Sequence, residues 1–109
     1  MTRARLAKRR NNLTIERIKF DGDGGDLFFT LTVGFDAAGK VGEIFISGLK
    51  FGSTLDALMA DAAVAISRLL QSGTSATELA ASMGRLGDQR PASLLGAAVD
   101  AAAEVERGE

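Results

Sequence analysis

Between Gly42 and Leu70 the chain reads GEIFISGLKFGSTLDALMADAAVAISRLL, and the hydrophobic period changes inside that stretch. Ahead of the junction Ile44 and Ile46 share one face of a strand and Phe45 takes the other. Past it, Leu55, Leu58, Met59, Ala62, Ile66, Leu69 and Leu70 keep the i, i+3, i+4, i+7 spacing of a single helix face. Ser53 as N-cap with Asp56 three residues later forms a capping box, and Gly73 is a natural stop. A strand that runs through a glycine turn into a long capped helix must place that helix against the sheet it has just left.

Upstream, Leu27, Phe29, Leu31, Val33 and Phe35 alternate with Phe28, Thr30, Thr32 and Gly34, the clearest period of two in the chain. Leu13–Phe20 reads as an earlier strand whose alternation slips. Leu13 and Ile15 fall on one face and Ile18 and Phe20 on the other, so a bulge near Arg17 is expected. The segment DGDGGD (21–26) supplies one hairpin turn and DAAGK (36–40) a second, ahead of a third strand over Val41–Leu49. Downstream, Ser75 and Glu78 repeat the capping signal for a short helix carrying Leu79 and Met83. Pro91 marks the first turn of a third helix, striped by Leu94, Leu95, Ala98, Val99, Ala102 and Val105 and expected against the long helix. The fold class predicted is α+β: a three-stranded antiparallel meander followed by a long amphipathic helix and two shorter helices, all packed on one sheet face. Phe28 and Phe45 fall on the opposite face, which predicts a homo-oligomer or a partner protein covering it.

The chain has 109 residues, enough for one domain with one modest core. Its 46% hydrophobic and 25% charged residues argue against wholesale disorder. No apolar run is long enough for a membrane span, and the basic N-terminus lacks the apolar segment of a secretory signal, so a cytoplasmic protein is expected. There is no Cys and no His, which removes disulfides, Cys/His zinc sites and every Ser-His or Cys-His nucleophile system. Any acid–base chemistry falls to Asp, Glu and Lys, and any stacking to six Phe, since Tyr and Trp are absent. The charge is uneven. Arg3, Arg5, Lys8, Arg9 and Arg10 give the first ten residues five positive charges, and the rest of the chain carries eight positive and fourteen negative. Residues 1–12 read as a basic flexible tail and residues 13–109 as the domain. The tail is either a solvated leader or a nucleic-acid contact.

Four other constellations carry possible chemistry, each with a plain structural alternative. Lys50, Gly52, Ser53 and Thr54 place a cation, a glycine and free amides at a helix start, a candidate site for a nucleotide-like anion; the same letters describe an ordinary capped helix. DGDGGD has the carboxylate spacing of a calcium loop but no Glu at the twelfth position, so a hairpin is expected and no metal site. Asp56 and Asp61 do not share a helix face well; Asp61 is solvated, partly buried beside the apolar stripe, paired with Arg68, or paired with a partner subunit. Arg85, Asp88 and Arg90 crowd one loop, as an anion contact or as a polar loop ahead of a helix cap. None of these is a catalytic set.

The segment Gly42–Gly73, together with FFTLTVGFDAAGKVGEIFI before it and LAASM after it, resembles the TSCPD domain, found near the C-terminus of adenosylcobalamin-dependent (class II) ribonucleotide reductases. The features that carry the resemblance are the strand GEIFI, the lysine and glycine before a Ser-Thr helix start, and LLQSG closing the helix. It implies a small α+β module that follows a radical-bearing catalytic barrel in the full enzyme. The barrel and its cysteines are missing here, and Ser53–Leu58 reads STLDAL where the namesake motif has a cysteine, so no catalytic residue carries over. The family enzymes use adenosylcobalamin; no cofactor is expected for this chain. The expectation is a stand-alone accessory domain, non-catalytic by itself. It would act through a partner protein such as a reductase catalytic subunit, through self-association, or through an anion at Lys50–Thr54. Nucleic-acid association through Arg3–Arg10 is the alternative.

Overall fold

The computed structural model describes residues 12–22 and 25–108. They form strands β1 (Asn12–Gly22), β2 (Gly25–Phe35) and β3 (Val41–Ser47), then helices α1 (Thr54–Gln71), α2 (Ala76–Ser82) and α3 (Leu94–Glu106). The sheet is an antiparallel meander in the order β1-β2-β3, with the helices on one face, as the periodicity predicts. Among the described residues no helix is long and apolar enough to cross a membrane.

The slipped alternation in β1 is a bulge. Ile15 pairs with Leu31 and Ile18 with Phe29, so Glu16 and Arg17 together oppose Thr30. One extra residue inverts the later parity, and Leu13, Ile15, Ile18 and Phe20 all join the face of Val33, Leu31, Phe29 and Leu27. Arg17 takes the bulge's left-handed backbone, φ 57°, and its guanidinium lies 4.2 Å from the centroid of the Phe28 ring. That contact covers part of the ring, and Phe28 stays 37% exposed. Apart from Phe45, the rest of the outer face is polar: Thr14 and Thr32 share a hydroxyl contact at 3.3 Å, with Lys19, Thr30, Glu43 and Ser47 around them. Phe45 stays 55% exposed there.

The core joins Phe29, Leu31, Val33, Ile44 and Ile46 of the sheet to Met59, Ala63, Ile66 and Leu70 of α1, and to Leu79, Leu94, Ala98, Val99, Ala102 and Ala103 of α2 and α3. Among the described residues no charged or polar side chain is buried with them. Three expectations change. Leu58 and Leu69 are 59% and 43% exposed; α1 is apolar on more than one side, and the stripe that meets the sheet is Met59-Ala63-Ile66-Leu70. Helix α3 packs closest to α2 and spans all three strands, where the sequence pointed to α1. Pro91 precedes α3 without starting it. Ser93 is the N-cap, its Oγ accepting the Gly96 N–H, and Pro91 is held in a bridge to Arg85. A serine supplies the acceptor that a helix start requires, and proline supplies none.

Polar side chains set the turns. Asp36 Oδ1 accepts the amides of Ala38 and Lys40 at 2.9 and 3.0 Å and closes the β2–β3 turn. Gly48 leaves β3 at φ +86°, and a Cβ there would lie 3.3 Å from Thr30 N and Oγ1. Helix α2 starts with the expected Ser75–Glu78 capping box, and the Glu106 carboxylate adds bonds to the Ala76 and Thr77 amides and the Thr77 hydroxyl. Arg85 forks onto Asp100 and donates to the Ala80 carbonyl, tying the loop and α2 to α3.

Gly48→Ala combines a strained φ with a tight contact to the Thr30 backbone and should cost about 2 kcal/mol. Gly39→Ala, at φ +82° with open space around it, should cost about half of that; urea midpoints of the two variants check the order. For Glu106, partial burial pushes the carboxyl up, but the Thr77 hydroxyl, the Thr77 and Ala76 amides and the Lys40 charge outweigh it, and its pKa lies below 4.5. Its contribution is therefore present above pH 4.5 and is lost as pH falls through the lowered value. Glu106→Gln should lower stability at neutral pH and flatten that acid limb in urea midpoints measured against pH.

Candidate functional site

Strand β3 is an edge of the sheet, and its outward backbone groups are a template for another strand unless something meets them. Helix α1 meets them. Ser67 Oγ accepts the Ile44 N–H at 3.0 Å and donates to the Ile44 carbonyl at 3.2 Å, and Gln71 Nε2 donates to the Gly42 carbonyl at 3.1 Å. Alongside this seam runs an open groove of about 390 Å³. Its floor is Ile44, Phe45, Ile46, Ala60, Ala63 and Val64, and its rim is Glu43, Ser67, Arg68 and Gln71.

The groove continues onto the outer side of α1, where Ala57, Leu58, Ala60, Val64, Ala65 and Leu69 are all exposed, Val64 by 61%. The 18 residues of α1 hold three charged side chains, Asp56, Asp61 and Arg68, and Asp56 is committed to the cap. Asp61 and Arg68 make no ion pair or side-chain hydrogen bond among the described residues. They do not pair with each other, since seven residues put them two turns apart. A helix face this apolar, flanked by an apolar groove, has the composition of an interface. The signal was in the sequence as a surplus of apolar residues in α1 beyond one stripe.

The structure places the other candidates as follows. Lys50, Gly52, Ser53 and Thr54 do come together at the start of α1. Ser53 Oγ accepts the Asp56 N–H at 3.1 Å, Asp56 Oδ2 accepts the Gly52 N–H at 3.1 Å, and the Ser53 N–H donates to the Lys50 carbonyl. The Asp56 carboxylate thus stands at the amides that an anion at this helix start would use. Arg3, Arg5, Lys8, Arg9 and Arg10 lie outside the described residues, as does most of the tail they belong to. At the first hairpin Lys19 sits between Asp21 and Asp26, at 3.5 and 3.6 Å. Asp88 binds Arg90, and Arg90 also reaches Asp21 at 3.4 Å. Hydrogen bonds from the Arg90 backbone and side chain hold the Asp88 carboxyl below its usual range. Among the described residues no three acidic side chains gather to hold a metal ion. A polar notch of about 180 Å³ includes Lys40, Gln71, Ser75 and Glu106, of which Gln71 and Glu106 bond backbone of their own chain.

Ser67→Ala strands both polar groups of Ile44 and should cost about 1–3 kcal/mol, with more light scattering on heating as the β3 edge opens. Ser67→Thr keeps the hydroxyl and should lose less; thermal melts of the two variants test this.

The family model of the TSCPD domain matches residues 3–103, which takes in the three strands, α1, α2 and most of α3, and with them the whole groove. No curated protein and no solved structure matches the chain. By that match over nearly its whole length, the chain belongs to the TSCPD domain family.

Proposed function

We propose that this chain is a non-catalytic docking domain that binds protein through the outer face of α1 and the adjoining groove at Phe45 and Val64. The carrying observation is the exposed apolar side of α1, with Val64 at 61% and Leu58 at 59%. An 18-residue helix that shows water six apolar side chains, and two charges with no partner among the described residues, is better suited to a protein surface than to solvent. The chemistry of the chain supports the same reading. It has no Cys and no His, and the charges of Lys19, Arg85 and Arg90 are paired within the chain.

Family membership narrows the partner class. The TSCPD module of class II ribonucleotide reductases accompanies a radical-bearing barrel, and we propose a barrel of that class, in the cytoplasm, as the surface this domain meets. Adenosylcobalamin serves those enzymes by generating a radical at a cysteine; this chain has no cysteine, and we assign it no cofactor.

The test is binding of the purified chain to an immobilised class II reductase barrel from which the barrel's own TSCPD module has been removed. Val64→Arg should weaken binding at least about tenfold, equivalent to about 1.4 kcal/mol, with far-UV dichroism unchanged. Equal binding by wild type and Val64→Arg rejects the assigned surface. Ribonucleotide turnover by the chain alone rejects the non-catalytic reading.

A further inference from the structure

Closing the β3 edge with Ser67 and Gln71 removes strand addition along Gly42 and Ile44, so whatever covers this flank does so by packing side chains on α1. The outer face of α1 has a pattern that narrows the occupant. Ala57, Asp61, Val64, Ala65 and Arg68 fall within an arc of roughly 100°. All five are exposed. The two charges have opposite sign, stand at equal distance on either side of the point between Val64 and Ala65, and have no partner among the described residues. Such a face is complementary to itself when turned end for end. A twofold axis through that midpoint sets each Asp61 against an Arg68 and each Val64 against an Ala65.

We propose that α1 pairs antiparallel with α1 of a second copy of this chain, about a twofold axis between Val64 and Ala65, with Asp61 of each copy against Arg68 of the other. This rests on reading the outer face of α1 as a docking surface, and a second copy seated there competes with the reductase barrel for it. The alanines at 57 and 65 let the two helix backbones approach closely, and Val64 fills the centre. Each charge lies about 5 Å along the helix from the axis, within one turn, so the pair forms across the common helix-crossing angles. Parallel pairing in register would set Asp61 on Asp61 and Arg68 on Arg68, and like charges disfavour it. The apolar groove at Phe45 lies beside Val64, so the contact can widen onto β3. Two short helices bury less than a standard interface, which makes the dimer concentration-dependent.

Sedimentation velocity on the full chain, from low micromolar to sub-millimolar concentration, should show a monomer–dimer equilibrium. Asp61→Arg and Arg68→Asp should each raise the dimer dissociation constant about tenfold or more, and the double reversal Asp61→Arg/Arg68→Asp should restore it to within about threefold. Both positions are exposed, so dichroism should match wild type in every variant, and melting should match it at concentrations where all are monomeric. The chain has no native cysteine, so single cysteines report orientation cleanly. With oxidised glutathione, Val64→Cys should cross-link to a covalent dimer and Ala57→Cys should not, because antiparallel pairing separates the two copies of position 57 by about 22 Å. A wild-type monomer across that range overturns the proposal. So do single reversals without effect, a double reversal that fails to rescue, or cross-linking at position 57. A chain that stays monomeric while Val64→Arg still abolishes binding to the reductase barrel sinks the dimer and leaves the docking surface standing. A charge-dependent dimer that ignores the barrel supports the dimer and removes the barrel as partner.

Discussion

One hydroxyl, that of Ser67, joins α1 to the edge of the sheet, and most of the architecture follows from where it sits. By serving both the N–H and the carbonyl of Ile44, it fixes the helix along the strand and about its own axis. Helical geometry then decides which side chains are buried. Ala63, Leu70, Met59 and Ile66 lie about 40–100° to one side of Ser67 and point into the sheet. Leu58 and Leu69 lie about 160–180° from it and cannot reach the core, whatever their hydrophobicity. Their exposure follows from the same contact that protects the strand.

This explains which parts of the fold could be read in advance. The strands, the hairpin turns and the starts of α1 and α2 depend on neighbours close in sequence: the period of two, Asp36 with Lys40, Ser53 with Asp56, Ser75 with Glu78. The bulge was legible because a strand whose apolar residues change parity midway can keep them on one face only by inserting a residue, and Arg17 stands where the parity changes. The stripe of α1 was legible only in part: Met59, Ile66 and Leu70 belong to it as expected, but leucines at 55, 58 and 69 keep an equally regular helical spacing. The choice is made by bonds 23 and 29 residues apart. In α3 the start is a local choice, Ser93 capping the Gly96 amide in preference to Pro91, whereas the fork from Arg85 to Asp100, 15 residues apart, helps fix the packing partner.

The site followed the same division. Lys50–Thr54 was recognisable as a helix start, yet a local pattern cannot say that Asp56 reaches back to the Gly52 amide. The apolar outer face of α1 was hidden for a different reason. Leu58 and Leu69 also fit the spacing of a core stripe, so the surplus shows only when all the apolar residues of α1 are set against one face. Once Ile44 and Ser67 fix the helix, the surplus becomes visible as Leu58, Val64 and Leu69 in water.

The distribution of charge then separates structural from recognition roles. Lys19, Arg85, Arg90, Asp88, Asp100 and Glu106 all act within the chain, fastening hairpin to loop or helix to helix. Asp61 and Arg68 fasten nothing among the described residues, although they occupy the longest helix. On a face otherwise built of alanine, valine and leucine, exposed charges add little stability and mainly determine which surface can approach and in which register. The closed part of the β3 edge reinforces that role. With Gly42 and Ile44 bonded to α1, backbone pairing, which is indifferent to sequence, is closed along that stretch, and recognition there falls to side chains.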